Sequence, residues 1–135
     1  MELLGFLRDS GVRTGICSNK PRAFTSLILN SLEIAGLFDV VCGPEDASKP
    51  KPDPSMILVA ANRLGIGIHD ALYVGDMVVD ITAGRAASCV TWIVGTGSDS
   101  LETLVSARPD AVFPDLRDML SRLRIHGLAD PSGAS

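Results

Sequence analysis

Five short, almost wholly apolar runs alternate with segments of helical periodicity along this chain, and that alternation restricts its fold to a narrow class. The runs are 12–17, 38–42, 71–74, 90–94 and 111–113. Strands that are apolar throughout, rather than at every second residue, are those covered on both faces, as in parallel sheets. Between them, Leu3, Leu4 and Leu7 mark a helix within 1–9, and Phe24, Leu27, Ile28 and Leu32 follow the 3.6-residue period of a helix that Pro21 opens and Gly36 ends. Further helices are predicted at 55–64, stopping at Gly65, at about 80–87, at 101–106 and at 115–124. The expected architecture is a Rossmann-like three-layer α/β/α fold around a parallel sheet. In such open sheets ligands bind beyond the carboxyl ends of the strands. Four places qualify: Ser18-Asn19, the loop after Cys42, Gly75-Asp76 and the loop after Val94.

Composition narrows the function classes. A chain of 135 residues is expected to form one domain with a core of its own. A formal charge of -4 argues against nucleic acid or an anionic membrane as partner. No apolar run reaches the ~18 residues of a membrane span, and the first ten residues have no basic segment of the secretory kind. Cys17, Cys42 and Cys89 are odd in number and show no Cys-x-x-Cys spacing, so buried, reduced thiols and a cytoplasmic location are expected. His69 and His126 have no partner constellation and read as surface groups. The stretch 126–135 is expected to be a disordered tail after a core at 1–125.

Three motifs stand at the qualifying places. Ser18-Asn19 precedes a helix N-terminus, where free N–H groups suit a phosphate; plain helix capping is the other reading. In Lys49-Pro50-Lys51-Pro52-Asp53-Pro54 the prolines hold the backbone, so a lysine is fixed where an ammonium could offset phosphoryl charge; a solvated loop lysine is the alternative. In Gly75-Asp76-Met77-Val78-Val79-Asp80 the glycine permits close backbone approach, and two carboxylates four residues apart suit magnesium. There the alternative is that Asp80 caps a helix and Asp76 is a turn residue. Singly each motif is weak. Their order, each after a predicted strand, favours the functional reading.

Taken together, Ser-Asn, Lys-Pro-x-Pro and Gly-Asp-x-x-x-Asp resemble three successive motifs of the haloacid dehalogenase superfamily, in its phosphoglycolate phosphatase-like branch. The segments LRDSGVRTGICSNKP, KPDPSMILVAANRLGI and ALYVGDMVVDITAGRAA carry the likeness over nearly the whole chain. The resemblance implies a phosphoric monoester hydrolase that takes a small phosphorylated metabolite and Mg2+. It implies that Ser18 and Asn19 bind phosphate and that Lys51 neutralises it, with Asp76 a direct metal ligand and Asp80 a direct or water-mediated one. Lys51 is preferred to Lys49 because it stands 14 residues before Gly65, the interval expected to the glycine ending the next helix; Lys49 is the alternative. A sugar phosphomutase of the beta-phosphoglucomutase kind, and a non-catalytic binding domain, are the other functional readings; a dehalogenase fits paired acidic metal ligands less well.

Two departures bear on this. Ser88 stands where the family often has glycine after alanine. More seriously, no Asp-x-Asp occurs anywhere in the chain, although that motif supplies the family's nucleophile and its general acid and base, and no cap domain is present. The family's first strand lies between those corresponding to 71–74 and 12–17, so two unpaired edges are expected. Met1 then reads as an internal methionine of a longer protein, and the chain alone is expected to be inactive.

Overall fold

A computed structural model describes residues 2–126, so the tail expected at 126–135 falls, beyond its first residue, outside the described part. The chain forms two compact units, one up to Gly67 and one from Ile68.

In the first unit, β1 (Gly15–Cys17) and β2 (Val40–Cys42) pair in parallel, with Cys17 opposite Cys42. Helices α1 (Glu2–Asp9), α2 (Arg22–Ser31) and α3 (Ser55–Leu64) complete it. Helix α3 packs on both strands and α2 on β2. Cys42, Met56 and Ala60 form the core, with Cys17, Val40, Ala47 and Val59 packed around it. Gly65 ends α3 in the left-handed conformation, as the sequence predicts.

The second unit has the parallel order β3-β4-β5, with β3 at Leu72–Gly75, β4 at Val90–Val94 and β5 at Ala111–Phe113. Helix α4 (Val78–Ala86) lies on β3 and β4, α5 (Leu101–Ser106) follows β4, and α6 (Leu116–His126) packs on β5. Ile81, Ile93 and Leu104 form one buried cluster. The Trp92 and Phe113 rings lie 5.2 Å apart, with the Arg122 guanidinium 5.9 Å from the Trp92 ring centre.

The α/β class and the order of elements follow the expectation, with two corrections in detail. The parallel strands form two sheets, β1 pairing only with β2 and β3 only with β4 among the described residues. Those open edges are the ones expected without the family's first strand, and every residue of β3 is only half-buried, whereas the inner strand β4 buries Thr91–Val94. Strand β1 also begins later than 12, because the Thr14 amide donates to the Asp39 carboxylate (2.9 Å) and its hydroxyl to the Leu37 carbonyl (2.6 Å). Helix α2 keeps its predicted period but turns a different stripe inward. Thr25 and Leu29 are buried, while Phe24, Leu27 and Leu32 are each at least 60% exposed. Period alone identifies a helix; it does not say which of two adjacent stripes meets a two-stranded sheet.

Cys42 and Cys89 are buried as expected, and burial pushes both thiols up; Cys17 is only half-buried, because it sits on the open-edged strand β1. His69 is exposed. No helix among the described residues is long and apolar enough to cross a membrane.

Ser88 occupies the left-handed region (φ 60) just after α4, where a Cβ is unfavourable. The family's glycine there has this physical reason. Ser88→Gly is expected to raise stability by about 1 kcal/mol, read as a higher urea midpoint; an unchanged or lower midpoint would show that the serine is not strained.

Candidate active site

At the carboxyl end of β1 the Ser18 amide donates to the Cys42 carbonyl (3.1 Å), and the Ser18 hydroxyl accepts from the Lys20 amide (3.2 Å). Neither Ser18 nor Asn19 caps α2. Its N-cap is Pro21, and the Glu45 carboxylate accepts the Arg22 amide with both oxygens at 3.1 Å.

Asn19 instead grips Lys51. Its Oδ1 accepts the Lys51 amide (2.9 Å) and its Nδ2 donates to the Lys51 carbonyl (3.1 Å), so one amide side chain satisfies one residue's whole backbone. The Lys51 ammonium donates to the Cys17 carbonyl at 3.0 Å, folded back over the strand end. Lys49, two residues earlier, is exposed, and the Ser55 hydroxyl holds its backbone. Asp53 accepts the Ser55 amide (2.9 Å) at the start of α3; that bond is the first cause holding its carboxyl below the usual range.

The loop after β2 is fastened by Asp46, which the sequence did not single out. Its side chain is 4% exposed, meets the guanidinium Nη1 atoms of Arg22 (2.6 Å) and Arg63 (2.8 Å), and accepts the Gly43 amide (2.9 Å). The Gly43 amide first and the Arg63 guanidinium second hold its carboxyl below the ordinary aspartate range. A depressed folded-state value gives stability that is complete above the unfolded value near pH 4 and is lost as pH falls through the lower folded value. Urea midpoints of the chain are therefore expected to fall between about pH 5 and about pH 2, and to fall less in Asp46→Asn. Parallel profiles would remove Asp46 as the cause.

In the second unit Gly75 ends β3 and Asp76 follows. Asp80 is 4% exposed; its Oδ1 accepts the Tyr73 hydroxyl (2.8 Å), and its Oδ2 accepts the amides of Asp76 and Met77, both at 3.1 Å. The cap reading of Asp80 is thus realised, and it serves to shape the turn that presents Asp76. The Asp76 carboxylate is half-buried and accepts no hydrogen bond among the described residues. A partly buried carboxylate with open lone pairs suits a hard cation, so Asp76 fits a magnesium ligand. Asp80, with both oxygens engaged, fits best through a bound water. Among the described residues no group of three or more His, Cys, Asp or Glu side chains could hold a metal unaided.

The sequence marks the loop after β4 only as a place, not by residue. Gly97 lies against Asp76: a Cβ there would be 2.6 Å from the Asp76 carbonyl oxygen and 2.8 Å from its Cγ. Asp99 accepts the Val78 amide at 2.9 Å. The only sequence signal for either was their position after a strand.

The haloacid dehalogenase-like hydrolase family model matches residues 1–94, and the chain belongs to that family. The phosphoglycolate phosphatase of Salmonella paratyphi A is 37% identical over 122 residues, covering 90% of this chain and 48% of that protein. That of Escherichia coli K12 is 35% identical over the same spans. The chain therefore spans about half the length of these curated relatives. The crystal structure of a hydrolase from Pseudomonas syringae superposes with TM-score 0.84 at 26% identity, over 92% of this chain and 57% of that one. A Thermotoga maritima structure assigned as a beta-phosphoglucomutase gives the same TM-score at 20% identity, over 92% and 57%, which speaks for the fold alone.

Proposed function

We propose that this chain is the phosphate- and magnesium-holding part of a phosphatase that hydrolyses phosphoglycolate or a phosphate monoester of similar size. The observation that carries this reading is the fixed Lys51, gripped through its backbone by Asn19, with its ammonium at the end of β1. An ammonium already held in place offsets phosphoryl charge without first being ordered. Ser18 donates its hydroxyl to a phosphoryl oxygen, and Asn19 keeps Lys51 in position beside it. Asp76 holds magnesium directly and Asp80 through water, and the bound ion would screen the phosphate charge against an approaching carboxylate. The attacking aspartate, which would form an aspartyl-phosphate, and its acid–base partner come from an Asp-x-Asp strand outside these 135 residues. The chain alone is accordingly inactive. Its ligand is a small phosphorylated metabolite rather than nucleic acid or membrane, and its three free thiols suit the cytoplasm.

The test is magnesium-dependent phosphoglycolate hydrolysis by the chain alone and by the chain fused to an amino-terminal segment carrying a family Asp-x-Asp strand and cap. Turnover by the fusion only is expected. Turnover by the chain alone that depends on Asp76 would mean that a nucleophile lies within it and would overturn the division of labour.

A further inference from the structure

Asp76 has an obvious competitor for any cation: its own backbone. An aspartate at a turn readily folds its side chain onto the amide two residues on, which here is Val78, the first residue of α4 and one of the N–H groups that a helix start leaves without an intrahelical partner. In this structure that amide is already taken. Asp99 Oδ2, 21 residues away in sequence, accepts it at 2.9 Å. The two preceding amides, of Asp76 and Met77, go to Asp80 at 3.1 Å each. Three successive N–H groups around Asp76 are thus consumed by other carboxylates, and its own is left accepting nothing among the described residues. Gly97 completes the arrangement, because its missing Cβ leaves room for the Asp76 carboxylate; a Cβ would lie 2.8 Å from both Cγ and Oδ2.

We infer that Asp99 is a positioning residue: by occupying the Val78 amide it keeps the Asp76 carboxylate from closing onto its own turn and leaves it open to a divalent cation, with Gly97 fixing its orientation. This rests on the reading of Asp76 as a magnesium ligand. Without Asp99 the Val78 amide passes to Asp76, and the cation must then break that bond to enter. Such support of a ligand from behind typically governs metal affinity by about 10- to 100-fold.

The 135-residue chain is titrated with Mg2+ while the backbone amide resonances of residues 76–78 are followed by NMR, and thermal midpoints are recorded in parallel. Asp76→Asn is expected to abolish the response. Asp99→Ala is expected to weaken Mg2+ binding about 10-fold or more, while Asp99→Asn, which keeps an acceptor oxygen, stays within about threefold of the parent. Gly97→Ala, which disturbs Asp76 without touching the Val78 amide, is expected to weaken binding as well, and reports independently should Asp99→Ala fail to fold. A response that survives in Asp76→Asn, or is absent from the parent, overturns the metal reading and this inference with it. If Asp76→Asn loses the response but Asp99→Ala and Gly97→Ala keep the parent's affinity, the positioning role alone is overturned. A fall in affinity that matches a fall in thermal midpoint and is not rescued by Asp99→Asn also counts against it.

Discussion

Lys51→Ala is expected to lower turnover of the completed enzyme by about 100-fold or more, and Lys49→Ala to leave it within about threefold. The contrast follows from how each residue is held. Asn19 grips Lys51 through main-chain atoms, so truncating the side chain leaves the clamp in place and removes only the ammonium. The loss then appears in kcat as well as in KM, because charge offset matters most where charge develops. Lys49 is exposed and its backbone is tied by Ser55, which no change of its side chain disturbs. The measurement is steady-state hydrolysis by the fusion protein carrying each variant. Equal losses, or a larger loss for Lys49→Ala, would transfer the role and show that an interval counted along the chain misled the choice.

The second large effect is on folding. Gly75 is the last residue of β3, and the Asp80 side chain lies directly over it; a Cβ at Gly75 would fall 2.6 Å from Asp80 Oδ2 and overlap the Asp80 Cβ. Asp80 cannot yield easily, since it is buried and bound by Tyr73 and two backbone amides. Gly75→Ala is expected to cost roughly 3 kcal/mol through this overpacking, a large share of the ~5–15 kcal/mol that stabilises a typical domain. Gly5→Ala makes the natural comparison: the site is inside α1 with nothing within 4 Å, so it gains helix propensity and raises stability by up to ~1 kcal/mol. Urea unfolding of the two variants reads both signs. A Gly75→Ala chain as stable as the parent would mean that Asp80 does not pack where the structure has it.

Much of this was legible in the sequence, and the reasons are specific. Continuous apolar strands and periodic helices gave the α/β class because both are backbone geometries written in residue spacing. Ser18-Asn19 and Gly75-Asp76 stand out because each lies at the end of a strand, where an α/β fold gathers ligand groups, whereas the lysine motif follows Cys42 only after the turn Pro44–Asp46. The inward face of α2 was not, since Phe24, Leu27 and Ile28 carry a stronger apolar pattern than the Thr25–Leu29 stripe that meets β2. Asp46 was hidden for another reason. Its Gly43 partner is local, but Arg22 and Arg63 are brought to it by tertiary structure, and no spacing marks a carboxylate that will be buried between two guanidinium groups. Asp99 was out of reach for the same cause, serving an amide on a different strand–helix junction. Asp80 shows the limit of choosing between readings. It accepts the Asp76 and Met77 amides at the start of a helix, and under the proposed function the same two bonds present Asp76 to magnesium.

The most direct test of the central claim is calorimetric titration of phosphoglycolate into this chain, its folding confirmed by circular dichroism, with and without magnesium. Binding that tightens when magnesium is added, and that is lost in both Lys51→Ala and Asp76→Asn, is the predicted result. A folded chain that binds phosphoglycolate no better with magnesium than without, or does not bind it at all, would contradict the assignment of phosphate- and metal-holding roles to these residues.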